Sequence, residues 1–492
     1  MKYKLIGIFG IFVILLAAAA APMLEADVKE SPRIHQHLTA RRDTGCDCGG
    51  TELCSHLPLV IIDTEGRTIP GRPTGSWDFF DQAIYSAAED GGPTINAAVR
   101  VIDHPDRNNH PSDEPAFTTR SELRVRGNSS RAFPKTPYQM NFVDGEGLNR
   151  DISVMGMPAH HEWALHGPIL DKSLVRNYMW YNISGEIMEY APNCRFCELI
   201  LDGSYEGLYL MTETVTNGDG CRLNLSKSTK NAKTYGYLLR VDRPTEADLG
   251  TPQDIYTYSE RSDQILHDVA VRYPGRATLT PEMAENIEQD YSAFEKALFS
   301  YDHDTQNYGY WHWIDVDNFI DYFLIAEFTK NIDMGKYSTY LYKEVGQKYR
   351  LCVWDFNNAC DNYQDNATEP DSFLLVKRAW FFMLLKNEEF VERVLSRYAE
   401  LRRGVLSEEY LLNYIDETLD WLGPAVERNN RRWADTIEHW NGLTPEERNL
   451  HSHREAVAQL KDWIVERGDW LDYCIHALRQ YAHPSRNKKF NH

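Results

Sequence analysis

The stretch from Phe319 to Tyr363, FIDYFLIAEFTKNIDMGKYSTYLYKEVGQKYRLCVWDFNNACDNY, constrains the fold more than any other. Phe319, Ile320, Phe323, Leu324 and Phe328 recur at helical spacing, and Asp315 stands where an N-cap belongs, which predicts an amphipathic helix ending near Asn331. Asp333 falls in the loop that follows. Ser338 to Lys343 and Tyr349 to Val353 are rich in Tyr, Thr, Leu and Val and flank the turn-forming Glu344 to Lys348, so they read as a hairpin. A hairpin starts and finishes on one side, which brings Asp355 back towards Asp333. Two carboxylates ~4 Å apart repel by roughly 4 kcal/mol at an effective dielectric near 20, and one proton or one divalent cation relieves that repulsion. Trp354 and Phe356 would partly dry the pair and favour the cation. The plainer alternative is two unrelated turn aspartates.

Composition narrows the class. At 492 residues, with 42% hydrophobic and 12% aromatic residues, the chain is long enough for two lobes with real cores. Its 52 Lys and Arg against 73 Asp and Glu give a formal charge of -21, which argues against nucleic acid or an anionic membrane as the main partner. Lys2 and Lys4 precede an apolar run from Leu5 through Ala21, so residues 1–24 read as a signal peptide or, if uncleaved, an anchor. Residues 25–56 are polar, hold Gly45, Gly49 and Gly50, and read as a linker. There are nine cysteines. Cys46, Cys48 and Cys54 form one group and Cys194, Cys197 and Cys221 another. Neither has the doubled CxxC of a zinc site, so disulfides or buried thiols are expected.

Strands are predicted at Leu57 to Ile62, Ala97 to Ile102, Glu122 to Arg126, Tyr138 to Phe142, Leu199 to Leu201, Gly207 to Val215 and Tyr235 to Val241. Between the third and fourth lies a small, polar, basic loop. Gly127, Asn128, Ser129 and Ser130 offer amides and hydroxyls, and Arg126, Arg131 and Lys135 supply positive charge, a composition suited to phosphate or to an ordinary solvated turn. Asp171 to Tyr190 reads as a helix capped by Asp171 or Ser173, with Arg176 and Asn177 one turn in. Beyond residue 250 the pattern becomes helical, over Pro281 to Ser300, Ser372 to Arg403, Ser407 to Leu422 and Arg454 to Leu478. The expectation is an α+β protein with a strand-rich N-terminal lobe over 57–216, a mainly helical C-terminal lobe over 217–480 and a tail over 481–492. Helix, loop acid, two short strands and Asp-Phe is also the order of parts in a protein-kinase catalytic lobe.

Four signatures in order, RGNSSRAFPKTPY at 126–138, DKSLVRNY at 171–178, YEGLYLMTETV at 205–215, and Asp333 followed by STYLYKE and VWDFNNACDN at 353–362, make the chain resemble the CotH kinase family, secreted or spore-coat proteins with an atypical protein-kinase fold. The resemblance covers about Leu57 to Leu471. It implies ATP and Mg2+ as cofactors, phosphorylation of Ser or Thr on a coat or cell-surface protein, and secretion or cell-surface placement. It further implies Asp355 as magnesium ligand and Asp333 as the catalytic-loop acid, with Ser338 as a weak second ligand. Lys135 and Arg126 would meet the phosphates, beside Asn128 and Ser129, and Glu213 would lie near the adenine. The chain departs from the family's WDxDxxxG pattern at Asn357 and Asp361, and Ser338 stands where relatives commonly carry Asn. Those departures keep open a catalytically silent, partner-binding protein on the same fold. A secreted hydrolase using the acid pair is a third reading.

Overall fold

The computed structural model describes residues 33–43, 45–50, 52–74, 84–218, 222–242, 269–378 and 380–485, and the folded unit begins at His35. The signal or anchor reading of residues 1–24, the terminal tail from 486 and Cys221 lie outside the described residues. Among the described residues, no helix is long and apolar enough to cross a membrane.

Strands β1 (Leu59–Asp63), β2 (Ile95–Ile102), β3 (Phe117–Val125), β4 (Tyr138–Val143), β7 (Glu162–His166), β8 (Cys194–Leu201) and β9 (Ser204–Glu213) close into a barrel in the order β1-β2-β3-β4-β7-β9-β8. A two-stranded ribbon, β5 (Ile152–Val154) and β6 (Met157–His160), interrupts it. The strand-rich first half was expected, but its closure was not. Closure comes from a single parallel pairing, Leu59 opposite Glu198 through Ile62 opposite Leu201, which leaves no free edge. Inside the barrel Val60, Ile62, Val99, Leu123, Met140, Phe142, Trp163, Leu165 and Met211 pack together. β3 alternates inward and outward residues, whereas β8 and β9 are buried almost throughout, because their outer face is covered.

The cover begins with α1 (Arg176–Ile187) against β8. A second sheet has the order β11-β10-β12-β13, built from β10 (Tyr237–Val241), β11 (Val269–Tyr273), β12 (Thr339–Lys343) and β13 (Arg350–Cys352). The expected hairpin is β12 with β13, Tyr340 opposite Cys352 and Tyr342 opposite Arg350. Helices α2 (Pro281–Phe299), α3 (Val316–Thr329), α4 (Glu388–Leu401), α5 (Glu408–Leu422), α6 (Pro424–Arg432) and α7 (His453–Cys474) make up the rest, with shorter turns between. Thr280, Asp315, Asn387, Ser407 and Ser452 each cap a helix by accepting the amide three residues on. Asn387 explains why the expected continuous helix from Ser372 to Arg403 is broken: it caps a new helix at Glu388.

Two expectations are corrected. Within the stretch 25–56, read as a linker, the described residues His35, Gln36 and His37 are buried in the fold. The Gln36 carboxamide exchanges hydrogen bonds with the Phe196 backbone, donating at 3.2 Å and accepting at 2.7 Å, and the His37 amide donates to the Tyr178 hydroxyl at 3.0 Å. Asp171 is not a helix cap either. The helix starts at Arg176, and the Asp171 carboxylate folds the preceding turn.

Candidate functional site

α3 ends at Lys330 in a left-handed conformation, φ 44°, and the next side chain, Asn331, ties the two acids together. Its Nδ2 donates to the Asp355 carbonyl at 2.6 Å and its Oδ1 accepts the Asp333 amide at 3.4 Å. Asn358 closes the link from the other side, donating to Asp333 Oδ2 at 2.7 Å. The hairpin therefore brings the backbones of Asp333 and Asp355 onto the one Asn331 side chain. Ser338, with φ of 47°, lies immediately before β12.

The backbone here is held in unusual conformations. Lys330, Ser338, Asp355, Cys360 and Asp361 all have positive φ, 44° to 56°, and none is glycine. Each such residue costs about 1–2 kcal/mol, so their concentration in one segment marks a place where geometry outranks stability. At Asp361 φ is 56°, and an ion pair to Arg448 at 2.8 Å and the Thr368 amide at 2.7 Å hold the side chain.

Buried groups shape the Asp355 loop. The Asp355 amide donates to the Tyr181 hydroxyl at 2.9 Å, and the Phe356 amide to Asn177 Oδ1 at 2.7 Å. Asn177 Nδ2 in turn donates to Asn357 Oδ1 at 3.0 Å. Arg176, in an ion pair with Asp171 at 2.6 Å, donates to the carbonyls of Ala359 and Cys360 at 3.0 and 3.1 Å. Asn177 and Arg176 thus shape the loop rather than solvate a helix surface. His166 lies alongside, within reach of the Asn357 side chain; burial pushes its imidazole below the ordinary range, and the charge of Asp355 works in the opposite direction.

The basic loop reaches this place through one residue. The Arg126 guanidinium lies 5.4 Å from the centroid of the Trp354 ring, beside Asp355. Its charge and that of Asp355 act on both Tyr181 and His166. Gly127, φ 102°, turns the chain there, and an added Cβ would meet Ser130 Oγ at 1.8 Å. Asn128 is exposed on that turn, and Ser129 opens a short 3-10 turn, Ser129–Ala132. Arg131 folds back on its own loop, donating to the Gly127 carbonyl at 2.6 Å and stacking 4.0 Å over Tyr85. Arg124 is close to Arg131, Arg126 and Arg272, and burial with those like charges pushes it down to about 10. A concentration of guanidiniums in a chain of charge -21 is what an anionic ligand would require.

Lys135 departs from expectation. It is fully buried, and its ammonium donates to the Leu208 carbonyl at 2.5 Å and Asn429 Oδ1 at 2.7 Å, 4.9 Å over the Tyr209 ring. Burial holds its pKa well below the usual lysine range. The side chain points between β9 and α6, which supply Leu208 and Asn429. In this geometry its donors face protein, not a phosphate. Glu213 is also buried, at the end of β9, and accepts the Asn193 amide at 2.9 Å. A cavity of about 140 Å³ lies behind the Asp355 loop, lined by Lys172, Arg176, Asp361, Trp440 and Arg448 and by neither acid.

Two hairpin aspartates, a loop with several left-handed residues and an arginine over Trp354 thus lie together. The family model described as CotH kinase protein matches residues 123–471, well over half of the chain, and the chain belongs to that family. No curated protein matches it closely enough to serve as a relative.

Sequence reasoning missed His166, Asn331, Asn358, Arg124 and Arg272. Asn331 and Asn358 flank the acids in sequence and were open to inspection as amide donors. His166, Arg124 and Arg272 sit on strands far from the hairpin, and only tertiary folding joins them to it.

Proposed function

We propose that this chain is an exported CotH-type protein kinase, transferring the γ-phosphate of ATP to Ser or Thr of a coat or cell-surface protein. The observation that carries the reading is the acid pair, joined through Asn331 and Asn358 and facing Arg126 across Trp354. In this reading the barrel is the nucleotide-side lobe and the helical half the acceptor side.

The donor set fits magnesium. Among the described residues, Asp355 accepts one amide, that of Asn357 at 3.2 Å, which leaves carboxylate oxygen for a hard cation; Asn357 Oδ1 is a neutral oxygen in the same turn, and Ser338 would be a weak further ligand. One or two carboxylates completed by phosphate and water is the usual magnesium arrangement. Bound there, magnesium would neutralise charge developing on the triphosphate. Arg126 would orient the phosphates, with the amides and hydroxyls of Asn128 and Ser129 beside it, and Glu213 would lie towards the adenine. Asp333, held by Asn358, would accept the proton of the acceptor hydroxyl as its oxygen bonds to the γ-phosphorus and the bond to the bridging oxygen breaks, releasing ADP.

The test is transfer from labelled ATP with and without chelator. Asp355→Asn should abolish magnesium-dependent transfer with circular dichroism unchanged; unaltered transfer removes the mechanism. Asn357, where the family carries a second Asp, supports one other reading, a silent partner-binding protein. Absence of transfer by the wild type, together with no rise in melting temperature on adding Mg-ATP, would favour it, because a ligand at 100 Kd stabilises by about 2.7 kcal/mol.

A further inference from the structure

Far from the acid pair in sequence, the strap that enters β1 and the loop between β2 and β3 bring His110 to the group of three cysteines that the sequence had set together. Cys46, Cys48 and Cys54 are all free thiols, not disulfides. With His110 they offer three sulfurs and one imidazole nitrogen, all within 4.8 Å of one another. Cys46 Sγ and His110 Nε2 are 3.6 Å apart. In a tetrahedral zinc centre, Zn–S of about 2.3 Å and Zn–N of about 2.0 Å set the S···N edge near 3.5 Å and the S···S edge near 3.8 Å. The observed edge already matches, and no separation needs to contract by more than about 1 Å.

The surroundings are those of a built metal site. The other ring nitrogen of His110 faces Asp113 Oδ2 at 3.3 Å, and the same oxygen accepts the His110 amide at 2.8 Å, which fixes the ring with Nε2 towards the sulfurs. Asn108 Nδ2 donates to Cys54 Sγ at 3.1 Å, and the Gly50 amide points at Cys48. Gly49 and Gly50, directly after Cys48, have φ of 70° and 67°, a backbone conformation that side chains resist. Ser55 and Asn109 exchange backbone hydrogen bonds at 3.1 and 2.6 Å, holding strap and loop in register beside the cluster.

We infer that Cys46, Cys48, Cys54 and His110 form a structural zinc site that clasps the strap before β1 to the β2–β3 loop. Three thiolates and an imidazole are a soft, tetrahedral set that selects zinc over magnesium or calcium. Four protein ligands leave no open position for water or substrate, so the site ties the chain together and performs no chemistry. Binding deprotonates the thiols, so up to three protons leave as the metal enters. The inference is independent of the kinase reading, since none of the four residues belongs to the acid cluster.

The test uses the full chain purified without chelator. Elemental analysis should find about one zinc per chain, and cobalt exchanged for it should give tetrahedral visible bands with a thiolate charge-transfer band. Cys54→Ser and His110→Ala should each lose the metal, and Asp113→Asn should weaken zinc affinity about tenfold or more. Because the wild-type measurements need no variant, a variant that misfolds leaves the test intact. Reduced protein that takes up neither zinc nor cobalt overturns the site. So does a disulfide between any two of the three cysteines in the native protein, detected by mass after alkylation.

Discussion

Asp171 and Asp355 sit on either side of the same loop and are treated in opposite ways. Asp171 is 2% exposed and accepts from the Ser173 amide and hydroxyl, the Arg176 amide and the Arg176 guanidinium. Asp355 is half-buried, lies at φ 55°, and among the described residues its carboxylate accepts one amide. The first aspartate is complete within the protein and, through Arg176, props the carbonyls of Ala359 and Cys360 behind the second. The second accepts a single hydrogen bond on its carboxylate among the described residues. A fold that satisfies one carboxylate with four donors and leaves its neighbour strained and short of partners has separated scaffold from site.

The sharpest way to break that comparison is to neutralise each acid in turn. Asp355→Asn should lower magnesium-dependent phosphate transfer on the order of 10³-fold or more, about 4 kcal/mol of barrier, with the urea midpoint unchanged. Asp171→Asn should do the reverse in kind. It strands a buried guanidinium and should cost about 3–5 kcal/mol of stability, read as a lower urea midpoint, with activity lost only as the folded fraction falls. Arg467→Ala belongs with Asp171. Its guanidinium is fully buried against Glu327 at 3.2 Å, and Glu327 accepts the Leu374 and Leu375 amides, so about the same loss is expected. Equal stability effects at Asp171 and Asp355 would erase the distinction. Arg126→Ala should be smaller than either, raising KM for ATP about tenfold, worth about 1.4 kcal/mol, with little change in melting temperature.

What could be read from the chain follows the same division. The acid pair was legible because much of what positions it is local, namely the Asp315 cap, the apolar period of α3 and a hairpin with a short turn; the hold of Tyr181 and Asn177 on the Asp355 loop is distant in sequence and was not legible. The basic side was legible only as composition. Arg126, Arg131 and Lys135 look equivalent in sequence, yet one faces Trp354, one folds on its own loop and one is buried against α6, and that choice depends on barrel closure and on a helix nearly 300 residues away. Barrel closure itself was illegible, since the pairing of β1 with β8 is parallel and distant in sequence. The polar strap before β1 misled for a related reason. Its buried partners, Tyr178, Phe196 and His110, all lie elsewhere in the chain.

The smallest expected effect concerns Lys135, and it tests the comparison from the basic side. Desolvation opposes its charge, and its hydrogen-bond acceptors are a backbone carbonyl and an asparagine oxygen, not a carboxylate. A group whose pKa is depressed in the folded state binds fewer protons there than in the unfolded chain, so stability rises with pH until the unfolded lysine value near 10.4 is reached. Lys135→Met keeps the stem, removes the ammonium and abolishes that dependence. The cost of leaving the Leu208 carbonyl and Asn429 without a donor works against the relief of a buried charge, and the net change in stability should be within about 1–2 kcal/mol. KM for ATP should stay within about threefold, because in this geometry the ammonium faces Leu208 and Asn429. A rise in KM as large as that of Arg126→Ala would mean that Lys135 swings out to the phosphates when nucleotide binds, and the two bases would then belong to one site.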